Sequence, residues 1–174
     1  MAAETPNKPR FQEVRLRAIE PADLPALYEI QLDPEANALA MVIPRTWETY
    51  EPLMQNVLTN PAVVARAIIG DGALVGSISC FPRVEKNAAG KDEEQKWIGY
   101  WIAREHWGRG AATRALALLL PELEWRPLHA RIASTNIASL RVLQRCGFVV
   151  TGRHHSPGTE RFLECEEIEL RFGS

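Results

Sequence analysis

An apolar run from Trp97 to Ala103 breaks at Arg104-Glu105, passes through Gly108-Arg109-Gly110, and resumes as Ala112, Ala115, Leu116, Leu119 and Leu123 at helical spacing. A strand that ends in a glycine turn and opens a helix aims unpaired backbone N–H groups at one spot, backed by the helix dipole. That arrangement holds an anion, most often a phosphate. Small residues at 108, 110, 111 and 112 let a bulky phosphate approach the main chain. An ATP-type loop needs a lysine followed by Ser or Thr, and Gly110-Ala111-Ala112-Thr113 lacks it. A dinucleotide fingerprint needs a third glycine where Thr113 stands, and belongs nearer the start of a repeated βαβ array. The spacing also suits an ordinary tight turn into a helix.

A second constellation lies downstream. Asn136-Ile137-Ala138-Ser139 opens a short amphipathic stretch that ends in Cys146-Gly147-Phe148. Asn136 reads as a helix cap or as a ligand contact, and Ser139, one turn along, faces the same side. His154-His155 is a poor metal site, because neighbours on a strand point to opposite faces. Cys80, Cys146 and Cys165 are odd in number and widely spaced, which gives neither a disulfide framework nor a zinc cluster.

Together, the segments Tyr100-Trp101-Ile102 … Trp107-Gly108-Arg109-Gly110-Ala111-Ala112-Thr113-Arg114-Ala115-Leu116 and Asn136 … Gly147-Phe148 resemble the acyl-CoA-binding signature of the GNAT superfamily of N-acetyltransferases. The likeness is closest to the branch with the ribosomal-protein N-terminal acetyltransferases, and extends more loosely from Val14 to Phe172. It departs from the family's frequent Gln or Arg at Trp107, where this branch often carries an aromatic residue. The resemblance implies that the backbone of His106, Trp107, Gly108, Arg109, Gly110, Ala111, Ala112 and Thr113 holds the pyrophosphate of coenzyme A. The strand edge at Trp101, Ile102 and Ala103 would pair with the pantetheine arm. Asn136 would hydrogen-bond that arm, and the Ser139 hydroxyl would give a proton to the leaving thiolate. A backbone N–H near Ile102 would stabilise the oxyanion. The side chains of Arg109 and Arg114 read as phosphate partners or as solvated surface.

The implied reaction moves an acetyl group from acetyl-CoA, a cosubstrate, to a primary amine by direct attack in a ternary complex, without a metal. The acceptor is a protein N-terminus or a small-molecule amine. The branch's usual glutamate is replaced by Trp97, and no base is assigned among Glu93, Glu94, Glu164, Glu166 and Glu167. By the family's pattern Trp47, Tyr50, Met41 and Ile43 fall near the acceptor pocket. The acidic residues at 92–94 and 164–169 suit a cationic acceptor or a plain solvated surface. The rival readings are a non-catalytic acyl-CoA binding or sensing module and a nucleotide-binding protein that shares only the turn.

These residues need elements to hold them. A chain of 174 residues, 46% hydrophobic and 24% charged, fits one α/β domain over 11–174 after a flexible tail over 1–10. A net charge of −2 gives no field for nucleic acid. No stretch approaches the ~20 apolar residues of a membrane span, and Met1–Arg10 lacks an apolar leader core, so a cytoplasmic protein is expected. Either a monomer or a homodimer fits.

Strands are predicted at 14–19, 63–69, 73–81, 97–103, 129–133, 148–153 and 161–172. Helices are predicted from Pro21 to Leu32, Trp47 to Leu58, 109–120 and 137–145. A connector covers 33–45, and a long exposed loop covers Arg83 to Lys96. The result is a single GNAT-type domain with a central mixed, mostly antiparallel sheet of about seven strands, flanked by helices.

Overall fold

Gly70-Asp71-Gly72 folds as the tight turn its composition demands, with Asp71 and Gly72 both at positive φ. In the computed structural model, which describes residues 8–87 and 89–173, that turn joins the second and third of seven strands. The strands are β1 (Val14–Ala18), β2 (Val64–Gly70), β3 (Ala73–Lys86), β4 (Asp92–Ile102), β5 (Leu128–Ala133), β6 (Val149–Ser156) and β7 (Cys165–Phe172). They form one sheet in the order β1-β2-β3-β4-β5-β7-β6. Every pairing is antiparallel except β4 with β5, as the strand–helix–strand connection between them requires. The mixed, mostly antiparallel sheet is therefore the observed architecture.

Helices cover both faces. On one, α4 (Ala111–Leu119) and α5 (Ile137–Arg145) bury Leu116, Leu119 and Leu143 against Ile78, Ile98, Leu128, Ile168 and Leu170. On the other, α1 (Leu24–Gln31) and α3 (Trp47–Thr59) place Leu24, Leu27 and Tyr50 on Ala67 and Ile69. The apolar residues of α4 recur every three to four positions, so a single stripe faces the sheet.

Three expectations need correction. The connector predicted over 33–45 contains α2 (Pro34–Ala40), started by Asp33, whose carboxylate accepts from the N–H groups of Glu35 and Ala36. It buries only Ala36 and Asn37, too few residues to leave a periodic pattern. The segment from Arg83 to Lys96 is mostly paired strand, because β3 and β4 stay in register out to Lys86 and Asp92. Its charges lie on an exposed ribbon and pair across it, as Lys86 does with Asp92. The last strand starts at Cys165, not at 161. Residues 1–7 of the expected tail lie outside the described residues, whereas Lys8 and Pro9 are tied by hydrogen bonds to Glu105 and Arg109.

The lead into α1 is fastened by Asp23, which accepts two hydrogen bonds from Arg17, at 2.6 and 2.8 Å, and one from the Glu20 N–H. The Arg17 hydrogen bonds hold this carboxyl below its ordinary value. The unfolded chain therefore binds the proton more readily, so the contribution is complete at neutral pH and is lost as pH falls below ~4 through the folded value. Arg17 is a third exposed and solvent screens the pair. Asp23→Asn is accordingly expected to cost about 1–2 kcal/mol at pH 7. Urea denaturation of both proteins at pH 7 and pH 3 checks this, and the difference between them should narrow at the lower pH.

Candidate active site

β4 is bonded to β3 along its whole length but to β5 only at Lys96 and Trp97. Beyond that point the two parallel strands separate. The Ala103 N–H bonds the Val75 carbonyl, so by strand alternation Trp101 and Ala103 turn their main-chain groups towards β3. Ile98, Tyr100 and Ile102 turn theirs into the gap that β5 has left. Of the three edge residues picked from the sequence, only Ile102 therefore offers main-chain groups to the opening, joined there by Tyr100 and Ile98. The Ile102 carbonyl is capped by the Trp107 indole N–H at 2.8 Å, which leaves its N–H facing the gap.

The glycine turn follows at the end of β4. Gly108 and Gly110 have φ of +77° and +82°, and a Cβ built at either would meet nothing within 4 Å. Both conformations favour glycine, and both positions open onto free space. Arg114 N is the donor that closes the first turn of α4, on the Gly110 carbonyl. The N–H groups of Ala111, Ala112 and Thr113 thus lack partners within the helix, and Gly110 has no side chain to cap them. This cradle fits a phosphate group.

The arginine side chains of the turn are engaged elsewhere. Arg109 donates to the Pro9 carbonyl and stacks 3.7 Å from the centre of the Phe11 ring, and Arg114 donates to the carbonyls of Phe11 and Gln12. They clamp the lead-in to β1, so the cradle offers main-chain N–H groups and helix dipole. His106 packs on Phe11, and its burial lowers the imidazole pKa, keeping it neutral.

On the other side of the gap, Asn136 caps α5, its Oδ1 accepting from the Ser139 N–H at 3.1 Å. The Tyr100 hydroxyl reaches the Ser139 carbonyl at 3.4 Å, which ties the splayed part of β4 to the first turn of α5. Burial pushes the Tyr100 phenol up to about 12, so it stays protonated and keeps its proton for that bond. Tyr100 belongs to the motif, but its role is not legible in the sequence, since nothing in its spacing says that strand and helix meet there.

The opening is roofed by α2 and the segment after it. Arg104, just past β4, pairs with Asp33 and Glu35, and α2 packs against β5. Residues 41–43 then run antiparallel to 161–163 of the β6–β7 loop: the Ile43 N–H bonds the Arg161 carbonyl and the Leu163 N–H bonds the Met41 carbonyl. Met41 and Ile43 therefore lie in this roof. Trp47 borders an open hollow with Pro25, Ala26, Tyr28 and Glu29. Tyr50 does not line a pocket; it is 1% exposed and packs in the core against Tyr28 and Trp47.

His154 and His155 point apart as expected, the first to Glu167 and the second to Glu164 and Glu166. Among the described residues no group of three or more His, Cys, Asp or Glu is placed to hold a metal, and no helix is long and apolar enough to cross a membrane.

Comparison with known proteins agrees with this fold. The family model for an acetyltransferase (GNAT) domain matches residues 13–149. The probable N-acetyltransferase YjcK of Bacillus subtilis (strain 168) is 30% identical over 82 residues, covering 45% of this chain and 42% of that protein. The chain thus matches less than half of that relative's length. Among solved structures, a ribosomal-protein-alanine N-acetyltransferase from Brucella melitensis superposes with a TM-score of 0.75 at 22% identity, covering 92% of this chain and 99% of that one. A spermidine N-acetyltransferase from Vibrio cholerae, in complex with CoA and spermine, gives 0.69 at 20% identity, covering 91% and 95%.

Proposed function

Since the chain belongs to the GNAT acetyltransferase family, we propose that it transfers an acetyl group from acetyl-CoA to a primary amine. The observation that carries this reading is the juxtaposition of a splayed parallel strand pair with a glycine cradle at a helix N-terminus. Amides dock on a strand edge and phosphates on free helix N–H groups. The gap edge at Ile98, Tyr100 and Ile102 receives the amide-bearing arm, and the 108–113 turn receives the pyrophosphate. Asn136 keeps its amide nitrogen for that arm while its oxygen caps α5.

In this reading the neutral amine attacks the thioester carbon directly. The Ile102 N–H steadies the charge that develops on the carbonyl oxygen, and the C–S bond breaks as the Ser139 hydroxyl gives its proton to the departing sulfur. The serine then regains a proton from solvent. Four of the glutamates considered as bases (Glu94, Glu164, Glu166 and Glu167) are ion-paired and the fifth, Glu93, stands exposed on the β3–β4 ribbon opposite Glu85, so in this reading the amine's proton leaves to water. Lysine-like amines are mostly protonated near neutral pH, and the rate should rise with pH as the free amine accumulates. The three unpaired thiols suit a cytoplasmic setting.

Calorimetry with acetyl-CoA, followed by thiol release with a panel of amines, tests the assignment; failure to bind acetyl-CoA would reject it. Ser139→Ala is expected to lower kcat roughly a hundredfold with little change in the affinity for CoA, the range of a lost general acid. A raised Kd with unchanged kcat would make Ser139 a binding residue.

A further inference from the structure

Arg161 carries two guanidinium nitrogens, Nε and Nη1, that are buried and have no hydrogen-bond partner among the described residues. It stands in the β6–β7 loop, where its carbonyl accepts from the Ile43 N–H, and Arg45, two residues further along that segment, lies near enough for its charge to act on Arg161. Neither arginine forms an ion pair among the described residues. Of the acids in these segments, Asp33 and Glu35 pair with Arg104, Glu164 and Glu166 with His155, and Glu167 with Arg131 and His154, while Glu160, next to Arg161 in the chain, is exposed and pairs with neither arginine. Burial and the charge of Arg45 both disfavour the Arg161 cation, and no acid offsets them. A partly buried guanidinium with two solvent-excluded, idle donors beside a second cation is costly when left unpaired. It is a ready receptor for an oxyanion, which a planar fork of N–H donors binds in bidentate fashion.

Because these residues roof the gap where the amine must enter, we infer that Arg161 and Arg45 bind a carboxylate or phosphate carried by the acceptor. This rests on the acetyltransferase reading and narrows it. The substrate is an amine that is also an anion, and the acidic residues at 92–94 and 164–169 do not select a cation.

Two measurements test it. Inorganic phosphate is titrated in thermal denaturation of the wild type, Arg161→Gln and Arg45→Gln at matched ionic strength. The wild-type midpoint should rise with phosphate and the variants' should rise much less. Without added anion, Arg161→Gln should be no less stable than wild type, since it removes a partly buried, unpaired charge.

Thiol release is then compared for matched acceptors: glycine with glycinamide, phosphoethanolamine with ethanolamine, and a short peptide with an acidic second residue with its amide counterpart. At least one anionic member should exceed its neutral partner in kcat/KM by about ten- to a hundredfold, the value of one or two charge-assisted hydrogen bonds. That ratio should collapse in Arg161→Gln, and the favoured pair tells carboxylate from phosphate. Equal phosphate response in all three proteins, loss of fold in anion-free Arg161→Gln, or equal rates within every pair overturns the proposal. Absence of acetyl-CoA binding instead overturns the acetyltransferase reading on which it rests.

Discussion

Replacing Gly110 by valine is expected to weaken acetyl-CoA binding about a hundredfold, through the loss of one or two charge-assisted hydrogen bonds of ~1.5–3 kcal/mol each. Gly110 sits at φ +82° as the residue that opens α4, with empty space where its Cβ would be. A β-branched residue is strained there by about 1–3 kcal/mol. Its side chain also occupies the volume a phosphate needs to reach the N–H groups of Ala111 to Thr113. Gly90→Val is the control, since Gly90 has φ +73° and equally open surroundings but lies in the β3–β4 turn. It should incur a similar strain and leave the affinity alone. Calorimetry on both variants separates the two contributions, and wild-type binding by Gly110→Val would remove the phosphate cradle from the site.

Gly76→Ala is expected to destabilise the fold by about 3 kcal/mol or more, at the upper end for overpacking. A methyl group there would run into the Trp101 carbonyl oxygen and lie 3.0 Å from its carbon and 3.1 Å from Ile102 Cα. All three are backbone atoms, so β3 and β4 must part. The clash coincides with a register shift between β2 and β3, where Val75 is the extra residue. Because Ile102 is part of the gap edge, any enzyme that still folds should also bind acetyl-CoA less well. Thermal denaturation should show a midpoint lower by about 10 °C for a domain of this size.

The sequence is legible where a local pattern has a single structural meaning. The Gly70-Asp71-Gly72 turn, the apolar stripe of α4 and the Asn136 cap all emerged as their residues imply. Residues whose meaning depends on distant neighbours are harder to read. The roles of Arg109 and Arg114 are set by carbonyls at Pro9, Phe11 and Gln12, about a hundred positions away. Arg161 looks like any loop arginine until its neighbour proves to be Arg45. Gly76 had no special mark, since a glycine within a strand signals a bulge or a close approach only once its partner strand is known. The splay between β4 and β5 is likewise a property of pairing, and no residue type encodes it.

The clamp that Arg109 and Arg114 place on Pro9, Phe11 and Gln12 joins residues 100 to 103 positions apart. Such contacts form only after a long loop has closed, and they raise the contact order of the domain. During synthesis at ~5–20 residues per second, the lead-in to β1 waits about 5 to 20 s for its arginines to be made. By then the β1–β2–β3 ribbon already has all its residues and can have zipped together. The lead-in is therefore fastened after the strand it introduces, although it comes first in the chain.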